Sequence, residues 1–383
     1  MRSVFTADRL WDGQTVVESP VIVVEDGRIA SIASQKGAAI PAGEVRAFPG
    51  LTLGPAFFDV HIHGSAGHDV MEATPEALLT IGKFLASRGV GAYLATTVTA
   101  PMDVTLRSLH GLAKLIEKAP DGALTWPIGI HLEGPFLSHA KRGVHPPDLL
   151  LAPDIDIFDR MFEAAGGHVR LMTLAPELPG AAELAAHATA KGVRVSVGHS
   201  NATAAETAPV LTTGATSATH TFNAMRPLDH REPGILGVVL TRDDLFAELI
   251  CDGVHTAPEL VRLWWKAKGA ERAILITDGM AAAGMPDGEY MLGGFPVQVA
   301  DGKAMANGVL AGSVLTLDRA LKNFIEFTGA SVENGLRLLG ANPAAMTGFS
   351  DRAGSVAAGR PANLVVVDAT GKLVQSIHAG VPI

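Results

Sequence analysis

The sequence predicts an α/β protein built on a TIM-like (β/α)8 barrel, with a small β-sandwich domain formed from both chain ends. Two observations predict the barrel: eight short apolar runs lie between about residues 56 and 278, and stretches of helical spacing separate most of them. The β-rich texture of both ends predicts the second domain. We therefore expect residues 1–55 and 346–383 to form this domain and residues 56–345 to form the barrel.

The two chain ends share short β-branched runs separated by tight turns. In the first 55 residues, the pair Asp26-Gly27 stands between two such runs and predicts a hairpin. Near the other end, glycine and proline turns flank the apolar run Leu364 to Val367. This common texture predicts that the ends pair with each other and that the barrel is inserted between them.

The middle of the chain alternates between strand-like and helix-like segments. The clearest predicted helix has Thr74 as N-cap, Pro75 at its first position and Gly89 after its end. The predicted strands lie near 56–62, 92–99, 127–133, 169–175, 193–199, 215–221, 246–252 and 272–278. A doubly wound open sheet is the alternative, and the lack of a glycine-rich phosphate loop after the first strand disfavours it.

Composition excludes several classes of function. The 383-residue chain carries a net charge of −9, which disfavours nucleic acid as a partner. It has no apolar stretch long enough to span a membrane, and its start lacks the pattern of a secretory signal, so we expect a cytoplasmic protein. The single cysteine, Cys251, rules out an intrachain disulfide, and we expect it to be a small core residue.

Polar residues end four of the predicted strands. Glu133 in HLEGP lies in a run too apolar to hold a carboxylate unless it is paired or bound to metal, and His199 and His220 end two later runs. Because the carboxyl ends of barrel strands meet at one face, these three residues are candidate ligands of a catalytic zinc, with iron, manganese and cobalt as alternatives. Asp278 in LITDG is the candidate proton carrier; its alternative role is a turn acceptor before Gly279.

A further histidine pair opens the barrel. His61 and His63 in FFDVHIHG lie two residues apart on a strand, so their side chains point the same way and could chelate an ion. Ordinary packing is the alternative, and the number of ions, one or two, stays open. His131, two residues before Glu133, is either a barrel-layer residue or a partner of the ligands.

Loop residues predict anion binding. His145 in KRGVHPPD, Arg231 in LDHREPG and His255 in CDGVH gather cationic groups on the loops of an acidic protein. Such groups bind a phosphate or are simply solvated. Asn223 and Ala224, which follow the His220 strand, could offer amide groups to the same ligand.

Together these motifs resemble the amidohydrolase superfamily and, within it, the N-acetylglucosamine-6-phosphate deacetylases. The matching segments, in family order, include GPAFFDVHIHG, GIHLEGPF, KRGVHPP, VSVGHSNAT, THTFNAM, REPG, DGVH, ITDG and NGVLAGS. Many relatives place a carbamylated lysine where this chain has Glu133. The resemblance implies a metal-dependent enzyme that hydrolyses the acetamide of a phosphorylated amino sugar in amino-sugar breakdown, and it implies a homodimer with the active site near the subunit interface.

The resemblance also implies roles for individual residues. Glu133, His199 and His220 would hold the metal, Asp278 would act as general base and then general acid, and His145 would polarise the acetyl carbonyl. The substrate would be held by Val144, His145, Asn223, Ala224, Arg231, Asp252, His255, Leu310, Ala311 and Gly312. Family members differ at the first-strand motif, so the retained His61 and His63 are candidates for a second ion.

Two other functions compete with this hypothesis. One is an amidohydrolase that acts on a different N-acyl amino sugar, an N-acyl amino acid or a cyclic amide. The other is a metal-binding or regulatory barrel without catalysis, which the complete set of Glu133, His199, His220 and Asp278 disfavours.

Overall fold

The computed structural model describes residues 2–35 and 40–383, so Met1 and residues 36–39 of the predicted terminal domain lie outside the described residues. The strands are β1 Arg2–Trp11, β2 Val16–Glu18, β3 Pro20–Glu25, β4 Arg28–Ser34, β5 Glu44–Pro55, β6 Phe57–Ile62, β7 Gly64–Ser65, β8 His68–Asp69, β9 Val90–Thr97, β10 Trp126–Glu133, β11 Val169–Leu174, β12 Arg194–Val197, β13 Ala215–Ala218, β14 Phe246–Ile250, β15 Ala273–Ile276, β16 Gly288–Leu292, β17 Phe295–Ala300, β18 Lys303–Ala306, β19 Val309–Leu310, β20 Leu364–Val367, β21 Leu373–His378 and β22 Val381–Pro382.

The α-helices are α1 Pro75–Ser87, α2 Met102–Glu117, α3 Ile155–Ala164, α4 Ala181–Ala190, α5 Ala204–Thr213, α6 Gly234–Thr241, α7 Pro258–Arg272, α8 Leu317–Thr328, α9 Val332–Leu339 and α10 Ala341–Thr347. Short 3-10 turns lie at Val70–Glu72, His139–Lys141 and Pro147–Leu149. None of the helices in the described ranges is long and apolar enough to cross a membrane.

Eight parallel strands form the barrel, which confirms the predicted fold class. Neighbours pair in the order β6, β9, β10, β11, β12, β13, β14 and β15, and these strands are buried on both faces because helices cover the outside. Beyond the last strand, Gly279 pairs with Ile62, and the N–H of Asp278 donates to the carbonyl of His61 at 2.9 Å. These bonds hold the first and eighth strands together beside the site.

The predicted start of the first helix is confirmed. The Thr74 side chain accepts a hydrogen bond from the N–H of Ala77 at 3.2 Å, with Pro75 at the first position of α1. This cap satisfies one of the N–H groups that lack a partner at a helix start. The helix thus begins where β8 and the turn after it place the chain against the barrel.

The two chain ends pair as expected. Strands β20, β21 and β22 join β1 to β5 in one continuous mixed sheet, in which β5 contacts both β1 and β20. The sequence predicted a small β-sandwich here; hydrogen bonds connect all these strands into a single sheet around its own apolar core, which includes Phe5, Ile22 and Leu364. The Asp26-Gly27 hairpin is confirmed, with φ of 47° and 77° at its two central residues.

A four-stranded antiparallel sheet, β16 to β19, covers one side of the barrel mouth and was not among the predicted elements. We call residues 288–310 the mouth insert. Its apolar side packs on Val98 and Met280. The sequence contained a signal for this sheet, since Gly293-Gly294, Asp301-Gly302 and Asn307-Gly308 are residue pairs typical of hairpin turns. In the structure all six residues have positive φ and form its three turns.

We predict that the mouth insert depends on close contact at Gly293. A Cβ at Gly293 would overlap Cγ1 of Val98, whereas Gly302, also at positive φ, has no atom within 4 Å of such a Cβ. Gly302→Ala should lower the free energy of unfolding by about 1–2 kcal/mol through backbone strain, and Gly293→Ala by about 1–3 kcal/mol more through overpacking. Urea unfolding measures both values, and equal losses would show that the contact with Val98 is unimportant.

Candidate metal centre

The carboxylate of Glu133 lies at the centre of the candidate site, at the end of β10 and 3% exposed. Its Oε1 lies 3.2 Å from Nε2 of His199 and 3.1 Å from Nε2 of His220. Its Oε2 lies 3.2 Å from Nε2 of His63 and 3.6 Å from Nε2 of His145. The barrel thus gathers residues from four separate parts of the chain around one carboxylate.

His61 and His63 point to the same side of β6, as their spacing predicts. Nε2 of His61 lies 3.3 Å from Glu133 and 3.4 Å from Oδ1 of Asp278, and Nε2 of His63 lies 3.1 Å from the same Asp278 oxygen. Glu133 therefore stands between two groups of candidate ligands, one with His199 and one with the first-strand pair.

The backbone is strained where three site residues leave their strands. His199, His220 and Asp278 each lie two residues beyond the end of a barrel strand, and their φ values are 46°, 27° and 50°. Residues with a Cβ rarely adopt these conformations, and such strain is concentrated at functional sites. After these turns, the side chains of His199 and His220 contact Glu133, and that of Asp278 contacts His61 and His63.

Backbone carbonyls select the tautomer of two histidines. Nδ1 of His199 lies 2.9 Å from the carbonyl oxygen of Lys141, and Nδ1 of His63 lies 3.1 Å from that of Thr96. A carbonyl oxygen only accepts, so each Nδ1 carries a hydrogen. In a neutral ring, Nε2 then offers a lone pair toward Glu133, which is the arrangement of a metal ligand.

Glu248 holds His61 in the same way, and sequence reasoning missed it. This carboxylate on β14 is fully buried; its Oε2 lies 3.3 Å from Nδ1 of His61 and accepts from the N–H of His220 at 3.3 Å. Its signal was an acidic residue inside the apolar run AELIC, the same argument that identified Glu133.

Charge in the site is set by burial and by neighbours. Burial opposes charge on His63, but hydrogen bonds to Asp278 and Glu133 outweigh it and raise its pKa to about 9. Burial lowers the pKa of His199 to about 4. Burial also opposes ionisation of Asp278, yet the charge of His61 and the hydrogen bond from His63 lower its pKa to about 2. Asp278 is therefore ionised at neutral pH, and His199 is uncharged.

These residues fit a divalent metal ion. The uncharged His199 directs an Nε2 lone pair at a Glu133 oxygen 3.2 Å away, and two acceptors at that distance repel unless a cation lies between them. Nε2 of His61 is buried, and although oxygens of Glu133 and Asp278 lie 3.3 and 3.4 Å away, neither makes a hydrogen bond of good geometry with it among the described residues. Ligand atoms of His61, His63, Glu133 and Asp278 also lie within 4.8 Å of one another.

A cavity of about 310 Å³ opens above the cluster, and most predicted binding residues line it. The predicted residues on its wall are Val144, His145, Asn223, Ala224, His255, Leu310 and Gly312, and Lys141 joins them. Two further predicted residues lie behind the cavity wall. The carboxylate of Asp252 is 2.6 Å from Nδ1 of His255, and Ala311 is fully buried.

Arg231 lies apart from this cavity. It is exposed on the segment between β13 and α6, and its N–H donates to the Asp229 carboxylate at 2.8 Å. The cavity thus collects most of the predicted binding residues but not Arg231, because the segment that carries Arg231 lies on the surface.

His131 and Cys251 contribute to the surroundings of the ligands. Nε2 of His131 lies 2.8 Å from the hydroxyl of Thr173, and its ring meets that of His61 edge-on at 4.6 Å. Burial holds the pKa of His131 well below its usual value, so it supports His61 as an uncharged ring. Cys251 is buried in the core, and burial raises the pKa of its thiol.

Comparisons with known proteins agree with this geometry. Residues 52–381 match the amidohydrolase family. The N-acetylglucosamine-6-phosphate deacetylase of Bacillus subtilis (strain 168) is 34% identical over 95% of this chain and 93% of its own length. The N-acetylgalactosamine-6-phosphate deacetylase of Escherichia coli O157:H7 is 37% identical over 98% of both.

A solved structure extends the likeness to the fold. A mutant N-acetyl-D-glucosamine-6-phosphate deacetylase from Mycobacterium smegmatis, in complex with N-acetyl-D-glucosamine-6-phosphate, is 34% identical, with a TM-score of 0.92 over 100% of this chain and 99% of its own. The barrel, the buried histidine and carboxylate cluster and these full-length matches lead to one conclusion: the chain belongs to the amidohydrolase family.

Proposed function

We propose that this protein is a cytoplasmic, metal-dependent deacetylase that converts N-acetyl-D-glucosamine 6-phosphate and water to D-glucosamine 6-phosphate and acetate. The observation that carries the proposal is the buried Glu133 carboxylate, which contacts His199 and lies in one cluster with His61, His63 and the ionised Asp278. That pairing, at the floor of a cavity, suits attack by water on an amide carbonyl.

We assign Glu133, His199 and His220 to the principal ion. Two imidazoles and one carboxylate favour zinc, and iron, manganese or cobalt also fit this donor set. His61 and His63, with Glu133 and Asp278 beside them, are the candidate ligands of a second ion. A divalent ion bound here would act as a Lewis acid and lower the pKa of coordinated water to about 7.

Asp278 and His145 carry out the proton transfers and the polarisation in the proposed mechanism. Asp278, ionised at neutral pH, accepts the proton of the attacking water and then passes it to the departing amine. His145 lies on the cavity wall, where it can donate a hydrogen bond to the acyl oxygen as negative charge develops there.

The substrate is held by two groups of residues in this proposal. Val144, Leu310, Ala311 and Gly312 shape the part of the cavity that takes the sugar and acetyl group. Asn223, Ala224 and His255, which Asp252 orients, bind the phosphate from within the chain. Arg231 would complete the phosphate site of a neighbouring subunit in a homodimer, because it is exposed and lies outside its own cavity.

The substrate test compares three sugars in protein loaded with metal. N-Acetylgalactosamine 6-phosphate is a second candidate, because the relative from Escherichia coli O157:H7 carries the name of its deacetylase. We expect acetate release with the highest kcat/KM on the glucosamine derivative, and unphosphorylated N-acetylglucosamine to be slower by about 100-fold or more because the cationic pocket is left unpaired. A higher kcat/KM for the galactosamine derivative would make that sugar the proposed substrate. Equal rates with and without the phosphate group would show that the enzyme has no phosphate-binding site.

Asp278→Asn should lower kcat by about 100- to 10,000-fold, because the amide keeps the shape of the side chain but accepts no proton. Asp301→Asn, in an exposed turn of the mouth insert, is the matched control and should retain full activity. Zinc content of both variants checks that the ligands Glu133, His199 and His220 are intact. Turnover within a few-fold of the original in Asp278→Asn would exclude Asp278 as the proton carrier.

Arg231 can be tested by mixing two variants that are impaired in different parts of the site. Arg231→Gln should raise KM for the phosphorylated sugar, whereas Arg319→Gln, exposed on α8, should not. If Arg231 acts across a dimer interface, unfolding and refolding Arg231→Gln together with Asp278→Asn should restore about a quarter of the activity at low substrate, since mixed dimers hold one complete site. Absence of recovery, with dimers present by sedimentation, would place Arg231 outside the neighbouring site.

A further inference from the structure

His145 is held at Nδ1 by a donor, whereas His61, His63 and His199 are held there by acceptors. The backbone N–H of Thr99 points at Nδ1 of His145 at 3.3 Å, and the Thr99 hydroxyl lies 2.8 Å from the same nitrogen. Behind His63 and His199, the corresponding contacts are carbonyl oxygens. The backbone group that contacts Nδ1 is therefore a donor for His145 and an acceptor for His63 and His199.

This difference fixes where the ring hydrogen of His145 lies. A backbone N–H can only donate, so Nδ1 of His145 must offer its lone pair, and in the neutral ring the hydrogen is carried by Nε2. That Nε2 faces the site, 3.6 Å from Oε2 of Glu133. An N–H in this place donates to an oxygen and cannot ligate a metal, although His145 lies within ligand distance of Glu133 and His199.

The backbone of His145 is held by hydrogen bonds, and its ring is buried. Its N–H donates to the carbonyl of Arg142 at 3.2 Å, and the guanidinium of Arg142 donates to the carbonyl of His145 at 2.9 Å. The ring itself is 2% exposed and packs edge-on against that of His199 at 4.8 Å. The backbone therefore fixes the ring position, and Thr99 fixes its hydrogen.

We propose that Thr99 is a positioning residue that holds His145 in the Nε2–H tautomer, which makes His145 a hydrogen-bond donor to the reacting acyl oxygen and excludes it from the metal ligands. The inference rests on the role proposed above for His145. In the other tautomer, a lone pair on Nε2 would face the oxygen as its negative charge grows and would raise the barrier. Thr99 lies two residues after the end of β9, so the path of the chain out of the barrel sets this choice.

The tautomer can be measured directly by NMR with 15N-labelled histidine at pH 8, on the full-length protein as purified and again after zinc loading. His145, assigned from the His145→Gln variant, should show a protonated Nε2 and an unprotonated Nδ1. Thr99→Ser and Thr99→Val should both retain this pattern, because both keep the backbone N–H. Thr99→Val loses the 2.8 Å contact with the hydroxyl, so the 15N signal of its Nδ1 should move toward that of a nitrogen without a strong hydrogen bond. An Nδ1–H signal for His145 in the original protein would overturn the proposal.

Kinetics provide the second measurement. Thr99→Val should lower kcat by about 10-fold with KM nearly unchanged, a fraction of the 100- to 1,000-fold typical of a lost oxyanion donor, and Thr99→Ser should recover most of it. Thr97→Val removes another buried hydroxyl, at the end of β9, whose hydrogen bond within the described part of the chain is to the carbonyl of His131 at 3.5 Å, and should be neutral. Full activity in Thr99→Val would refute the positioning role. Failure of every metal-loaded form to hydrolyse any sugar would refute the proposed function instead, and the NMR result would still decide the tautomer.

Discussion

A buried carboxylate that faces several imidazoles is the constraint on which the rest of the site depends. Glu133 is 3% exposed, and Nε2 atoms of His199 and His220 lie within 3.2 Å of one of its oxygens. Removing a carboxylate from water costs several kcal/mol unless positive charge or hydrogen bonds replace the water. In the protein without metal, protonated His63, with its pKa of about 9, supplies part of that charge; a divalent ion would supply the charge instead and would release the His63 proton on binding. The arrangement therefore favours a cation at this point of the barrel.

The barrel meets this requirement at a cost to its backbone. His199, His220 and Asp278 take left-handed conformations, each worth about 1–2 kcal/mol of strain. At Asp278, hydrogen bonds on both sides of the residue support the strained conformation: its N–H donates to the carbonyl of His61 at 2.9 Å, and its carbonyl accepts from the N–H of Ser313 at 2.7 Å. Asp278 thus both connects the eighth strand to the first and places its side chain in the site.

Sequence patterns predicted the parts of this protein that depend on local rules. Apolar runs located all eight barrel strands, and an acid in an apolar run identified Glu133. The same rule applied to Glu248 would have found the group that orients His61, and the paired turn residues near Gly293 would have found the mouth insert. Those two were missed although their signals were present. The position of Arg231, by contrast, depends on how a surface segment folds back or extends, which no local pattern reports.

The tautomers could not have been predicted by any reading of the sequence, because His145 and His199 are the same side chain in similar loops. What separates them is the atom behind each ring: the carbonyl of Lys141 for one and the N–H of Thr99 for the other. Both atoms belong to the backbone, so their direction is set by the path of the chain after β9 and around residues 138–145. Two histidines whose ring centroids lie 4.8 Å apart thus have different proposed roles: His199 is a metal ligand and His145 is a hydrogen-bond donor. The chemistry of such a site is decided by backbone geometry as much as by residue identity.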